Sequence, residues 1–422
     1  MLAGSLSGGA LSAEDTALIT RLVNGVLSAE GVLDEAIDRH VTRQIEPRVR
    51  DVLRIAAFEL LFSRAPAYAV VDQAVELTRK VRPQAAGLAN AVVRRVAEDA
   101  PTFPWGDPAA DRNALARASA HPRWIVDVAV ASLGESAARE MLACGLESAP
   151  SYVRINPFER EPAATLAALA EADPTPSPPD ADCYILGRPA RAFSTQEEAT
   201  GWFAMDAAAQ VAPAAVRPAA GADILDVGAG RGNKTVCVQA LSERAGGPAA
   251  VTAIDVHQGK VAALHERLAR ARVPGVDVRA ADARELQEVF GADAFDTVLL
   301  DAPCSGLGTL RRYPEKRWRL DPGAPVRLSA LQSEMLVSAA RVVRPGGALV
   351  YSTCSIAAGE NSDVIAGFLA SAAGVEYRVE ALGDVIPAEW GTFRDGKGCF
   401  QSWPTSGGPD GHFVAVLRRG RR

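Results

Sequence analysis

The chain has 422 residues, 48% hydrophobic and 23% charged, enough for two or three domains with sizeable cores; this ordinary mix excludes a disordered, collagen-like or disulfide-scaffold protein. Forty-five basic against 51 acidic residues give a formal charge of −6, so no global positive field draws in a polyanion and any nucleic-acid contact must be local. The six cysteines are never closer than the 39 positions between Cys144 and Cys183, which excludes CxxC pairs and zinc spacing.

Reduced thiols and no metal are therefore expected. The first basic residue is Arg21, and no uncharged apolar run approaches the roughly 20 residues of a membrane span, so a cytoplasmic protein without membrane partners is expected. Only five of the 45 basic residues are lysine, so a lysine inside a motif stands out from the background.

Residues 11–99 carry apolar positions at helical spacing: Leu53, Ala56, Ala57, Leu60 and Leu61, then Val70, Ala74 and Leu77, then Leu88, Val92 and Val96. The spacing predicts a small helical bundle, broken at PTFPWGDP (101–108), where proline and glycine disfavour helix. Helix is expected again to about Leu146, a strand at SYVRINP (151–157), and a loop at DPTPSPPDAD (173–182). From about Thr195 short apolar runs, ADILDV, VTAIDV, VDVRAAD, DTVLLD and GALVYSTC, alternate with helix-like stretches, and DGHFVAVL (410–417) reads as the last strand. Such alternation indicates a largely parallel sheet covered on both faces. The expected domains are 1–105, 109–194 and 195–422, with no internal repeat.

The strand ILDV runs into Gly228, Ala229, Gly230, Arg231, Gly232, Asn233 and Lys234, then a helix. Glycines at a strand end let backbone approach a ligand. Asn233 occupies the third-glycine position of a dinucleotide fingerprint, which favours S-adenosylmethionine over a nicotinamide. Asp255 ends the next strand, 23 residues past Gly232 and near the offset at which an acid meets ribose hydroxyls; Asp282 follows the strand after that, where it can face an adenine amino group. Each aspartate alone is more often a helix cap or a solvated loop residue.

The following strand delivers Asp301 and Cys304, and the one after it delivers Cys354. A buried cysteine in a strand is usually a small hydrophobe, but these two lie past strand ends on the expected cofactor edge. A thiolate adding to carbon 6 of a pyrimidine turns carbon 5 into a nucleophile, a task for an ionised cysteine beside a methyl donor, with a second group to help release the product. Asp301 is placed to hold the polar edge of the base.

DAPCSGLGTLRR (301–312), PEKRW (314–318), LQSEML (331–336), PGGALVYSTCS (345–355) and Glu360-Asn361 closely resemble the RNA cytosine carbon-5 methyltransferases. The resemblance implies that Cys354 is the nucleophile, that Cys304 assists product release, and that S-adenosylmethionine lies against Gly228 to Lys234, Asp255, Asp282 and Asp301. LRIAAFELLF, AYAVVDQAVEL and GLANAVVRR resemble the NusB-type RNA-binding domain fused to the bacterial small-subunit ribosomal RNA branch, and HPRWIV (121–126) resembles its connecting region. The implied architecture is an α/β class I Rossmann-like methyltransferase domain with a mostly parallel seven-stranded sheet, preceded by an all-α NusB-like domain and a small connecting domain. The implied product is 5-methylcytidine in 16S ribosomal RNA; separately, a monomer is expected.

The chain departs from the family's usual loop DxCAAPGGKT: Gly228 replaces cysteine, Gly230 alanine, Arg231 proline and Asn233 glycine. Met205 stands where that branch commonly has glutamine, and the bundle's opening helix is expected to be missing before Leu11. After the Cys304 loop, Arg311, Arg312, Tyr313, Lys316, Arg317 and Trp318 combine positive charge with aromatic faces that can stack unpaired bases, and are the expected RNA contacts. The C-terminal RRGRR is expected to add weak electrostatics or form a free tail. Residues 1–100 hold 12 basic and 13 acidic residues, so charge alone does not mark the bundle for RNA. The competing readings are an assembly factor with reduced methyl transfer, suggested by the altered loop, a methyltransferase for another RNA, and a nicotinamide oxidoreductase, which leaves Cys354 without a task.

Overall fold

The computed structural model describes residues 12–159, 161–193 and 201–421. The expected boundary at Thr195 and the expected lack of a helix before Leu11 lie outside the described residues. The chain divides into two compact units, one running to Ser148 and including Leu310–Asp321, the other comprising Ala149–Thr309 and Pro322–Arg422. The helices expected in a connecting region thus belong to the first unit.

The first unit is helical: α1 Ala13–Asp38, α2 Pro47–Leu61, α3 Ala67–Val81, α4 Ala86–Asp99, α5 Arg112–Ala118, α6 Arg123–Leu133 and α7 Glu135–Ala143. Ser12 starts α1 with a capping box: its hydroxyl accepts from Asp15 N at 3.0 Å, and the Asp15 carboxylate accepts from Ser12 N at 3.3 Å. Pro47 opens α2, where its missing N–H costs nothing. The periodic positions Leu53, Ala56, Ala57, Leu60, Val70, Ala74, Val92 and Val96 form the core. Leu77 and Leu88, on the same spacing, are each 41% exposed. In α3 the inward position is Thr78, whose hydroxyl donates to Ala74 O at 2.7 Å and so enters the core satisfied.

The second unit opens with a four-stranded antiparallel sheet, in the order β2 Pro174–Pro176, β3 Cys183–Leu186, β1 Tyr152–Ile155 and β4 Trp202–Ala204. Its strand β2 lies in the stretch expected to be a loop. Prolines are tolerated there because β2 is an edge strand, where a missing N–H breaks no central ladder.

The main sheet contains the expected runs as β5 Asp223–Val227, β6 Ala250–Asp255, β7 Val276–Ala280, β8 Phe295–Asp301 and β9 Val343–Thr353, with β10 Tyr377–Glu380, β11 Phe400–Gln401 and β12 Phe413–Arg419. The order is β10-β12-β9-β8-β5-β6-β7, with β11 paired to β12. Strands β9, β8, β5, β6 and β7 are parallel; β12 is antiparallel to β9 and β10 is antiparallel to β12. Among the connecting helices are α8 Asn233–Arg244, α9 Gln258–Arg270, α10 Ala324–Val342 and α11 Ser362–Leu369.

The strands read as continuous apolar runs because both faces are covered, with separate clusters around Leu225, Val298 and Leu349 and around Ile224, Leu299 and Val350. Strand order reverses at β5, between β6 and β8, and the C-terminal strand ends beside such a switch point are where ligands bind in open α/β sheets. The RRGRR segment is not a free tail throughout: Arg418 and Arg419 belong to β12, where Arg418 pairs with Glu380 and Arg419 with Glu376 and Asp293. No helix among the described residues is long and apolar enough to cross a membrane.

Candidate active site

The loop from β5 into α8 makes three left-handed turns, at Gly228, Gly230 and Gly232, with φ of +79°, +55° and +79°. Gly228 is also fixed by space, since a Cβ there would sit 2.6 Å from Asp301 O. Its N–H and that of Ala229 both donate to Ile254 O at 3.0 Å, tying the loop to β6. Arg231 is exposed, and its carbonyl accepts from Arg267 at 2.6 Å; Asn233 donates to Ala204 O at 3.1 Å.

Below the loop, Asp226 is fully buried and accepts from the Thr235 hydroxyl at 2.6 Å through Oδ2, while its Oδ1 has no hydrogen-bond partner. Burial raises its pKa to about 6 despite that bond. Lys234, the rare lysine of the motif, reaches Asp301 Oδ2 at 2.7 Å. Burial would lower the Lys234 pKa, but Asp301 and Asp226 outweigh it and raise it, so the ammonium stays charged.

Asp255 ends β6 nearly buried, accepting from His257 N at 3.0 Å with Lys260 Nζ at 3.5 Å. Asp282, two residues past β7, is engaged by the Arg284 guanidinium at 2.6 Å and by Arg284 N at 2.9 Å, which lowers its pKa. That aspartate therefore already has a cationic partner.

Strands β8 and β9 bring the two central thiols together. Cys304 and Cys354 form no disulfide and are half-buried, with Sγ atoms 3.2 Å apart, and Cys354 N donates to Cys304 Sγ at 3.2 Å. The side-chain hydrogen bond shared with Cys354, burial, and negative charge at Cys354 and Glu360 push the Cys304 thiol well above its ordinary range, so it remains protonated.

The order of these loops comes from Glu360, to which its sequence motif alone assigns no role. Its buried carboxylate accepts from Ser305 N at 2.8 Å, from the Ser305 hydroxyl at 2.5 Å, from the Ser355 hydroxyl at 2.6 Å and from Gln332 Nε2 at 3.3 Å. Ser305 follows Cys304 and Ser355 follows Cys354, so one carboxylate clamps both loops. Asn361 adds a second tie, accepting from Thr353 Oγ1 at 2.6 Å and donating to Ser355 O at 2.9 Å. The only sequence signal was the shared spacing of serine directly after each cysteine.

The expected RNA contacts divide. Tyr313 is 47% exposed, with the Lys316 ammonium 4.4 Å from its ring centre, and Arg311 and Arg312 are half-buried. Arg317 is removed from that role, because its side chain is buried and donates to the carbonyls of Ala120 and Gly145. Burial lowers its pKa to about 10. Trp318 is also engaged inside the helical unit, its indole N–H donating to Ser28 O at 2.8 Å and its ring filling the space beside Gly31.

The strand order, the glycine loop at the switch point and the paired thiols define a class I Rossmann-like methyltransferase preceded by a helical bundle. Residues 213–418 match the family model "16S rRNA methyltransferase RsmB/F", and residues 1–98 match the NusB family. A ribosomal RNA small subunit methyltransferase B from Escherichia coli O6:K15:H31 is 31% identical over 96% of this chain and 91% of its own length. A probable ribosomal RNA small subunit methyltransferase B from Bacillus subtilis strain 168 is 28% identical over 99% and 94%. Among solved structures, PH0851 matches with a TM-score of 0.78 at 24% identity, over 97% of this chain and 92% of that one. The chain belongs to the RsmB/F family of methyltransferases and carries a NusB-like N-terminal region.

Proposed function

We propose that this enzyme methylates carbon 5 of a cytosine in 16S ribosomal RNA, with S-adenosylmethionine as donor and a covalent bond between Cys354 and carbon 6 of the base. The observation that carries the reading is the 3.2 Å approach of Cys304 and Cys354 at neighbouring strand ends, next to the Lys234–Asp301 pair.

The residues present fit the donor. Three left-handed glycines leave backbone open to a ligand, and the orphaned Asp226 Oδ1 lies beneath them. Gly228 to Lys234, with Asp255, Asp282 and Asp301, would hold S-adenosylmethionine, and Asp282 would have to share its carboxylate with Arg284. When bound, the donor supplies a methyl group on a positively charged sulfur.

The protein's own contribution is to deliver and withdraw sulfur. Cys354 adds to carbon 6, which makes carbon 5 nucleophilic; loss of the carbon 5 proton and departure of Cys354 restore the aromatic ring after methylation. The charge on Lys234 favours a thiolate at Cys354. Cys304, held as a thiol, assists departure, and Asp301 holds the base's polar edge. Arg311, Arg312, Tyr313 and Lys316 contact the RNA, by charge and by stacking.

The test is incubation with small-subunit RNA and labelled S-adenosylmethionine, followed by mapping of the modified base. Label at carbon 5 of cytosine is expected. RNA binding without donor binding would instead indicate the assembly factor. Cys354→Ala should abolish turnover and adduct, whereas Cys304→Ala should accumulate a protein–RNA adduct; exchanged phenotypes would reverse the two roles.

A further inference from the structure

His412 is a buried imidazole that the reaction as described leaves idle. It directly precedes β12, which pairs with β9 so that Phe413 faces Thr353. The β9–β12 pairing ends at Phe413 and Thr353, so His412 and Cys354 are the next residues beyond the last paired positions of the two strands. Its segment is pinned between the cysteine loops: Gly411 N donates to Gly308 O at 2.9 Å, and a Cβ on Gly411 would meet Ile356 at 2.7 Å. The His412 backbone is held separately, donating to Ser402 Oγ at 2.9 Å.

The backbone that carries the ring is therefore held, and the ring's Nδ1 is buried without a hydrogen-bond partner. The facing acid is Asp206, whose Oδ1 lies 3.9 Å away and which is itself buried and steadied by Asp410 N at 3.1 Å and Ala208 N at 2.9 Å. A buried polar nitrogen left without a partner is destabilising, so it calls for a use.

We propose that His412, backed by Asp206, accepts the thiol proton when Cys354 becomes the nucleophile; this rests on the covalent reading above. The S–H bond breaks with its electron pair left on sulfur, and the proton becomes the second N–H of the imidazole. The imidazolium then presents Nδ1–H to Asp206, and a shift of about 1 Å closes that gap to hydrogen-bond length. The same acid-backed imidazole logic activates other nucleophiles.

Four charged groups set the balance. Asp206, Asp410 on the same segment and Asp301 at the end of β8 favour the imidazolium, whereas Lys234 on α8 opposes it. Burial, with Lys234, outweighs the acids and keeps the resting ring below its ordinary range, so it starts neutral and able to accept.

The test is alkylation of the full-length protein with iodoacetamide between about pH 6 and about pH 9, where cysteine titrates, with Cys354 followed by peptide mass spectrometry. His412→Phe should slow Cys354 alkylation at neutral pH about tenfold and raise its midpoint by about one unit. His412→Asn, polar but unable to titrate, should do the same and decides the matter if the phenylalanine variant does not fold. Asp206→Asn should give a smaller shift in the same direction. A wild-type Cys354 profile in His412→Asn would overturn the proposal. Because alkylation needs neither RNA nor methyl donor, it separates this proposal from failure of the covalent reading, which would appear as normal thiol titration without methyl transfer.

Discussion

Asp226 and Glu360 are both fully buried acids, and their partners set different consequences. The Asp226 pKa of about 6 lies above the roughly 3.9 of an unfolded aspartate. Its contribution to stability is therefore fully present below about pH 4 and is lost as pH rises through about 6, by up to about 3 kcal/mol. Asp226→Asn should flatten urea-unfolding stability across that window, measured as midpoints at successive pH values.

Glu360→Gln puts an N–H₂ where Ser305 N and two serine hydroxyls donate. We expect a loss of about 2–4 kcal/mol in thermal or urea unfolding, together with reduced methyl transfer. Cys304, Cys354 and Lys234 were legible in the sequence because their types were unusual for their places. Glu360 was not, since an acid after a turn reads as solvated until the fold buries it. Arg317 misleads in the opposite sense: Arg311, Arg312, Lys316 and Arg317 look like one charged patch, but in the one-turn helix Lys316–Arg319 Lys316 is exposed while Arg317 is buried.

At the level of elements, the expected strands β5, β6, β8 and β9 appeared because each contains a short apolar run largely buried in the sheet, a pattern that survives without knowledge of neighbours, whereas the edge strand β7 is half-exposed. The strands β3, β4, β10 and β11 were not legible: they are two to four residues long and defined by their partners. The glycine loop gives a graded test. Gly228→Ala faces both a left-handed backbone, costing about 1–2 kcal/mol, and a collision with Asp301 O, so it should markedly weaken S-adenosylmethionine binding in calorimetric titration. Gly230→Ala shares the backbone strain, but its nearest neighbour would be Gly228 O at 3.7 Å, so it should weaken binding less.

On the scale of the whole molecule, composition foretold a multi-domain globular chain but not its discontinuity. The division falls after Ser148, and Leu310–Asp321 returns to the helical unit. No local pattern marks that return; it depends on Arg317 and Trp318 finding carbonyls on Ala120, Gly145 and Ser28. A fragment from Ala149 to the C-terminus would carry this segment without those acceptors. We expect it to show a lower melting temperature and more aggregation than the intact chain, by differential scanning fluorimetry and size-exclusion chromatography.

The same interleaving restricts how such a protein can be recombined. Exchanging the segment up to Ser148 with a relative at one junction would strand twelve residues from the recipient in a foreign host, where the incoming helices need not offer carbonyls at the right places. A working chimaera needs two grafts made together, one covering the segment up to Ser148 and one inside the stretch that follows Thr309, so the helical module and that short insert must be inherited as a set.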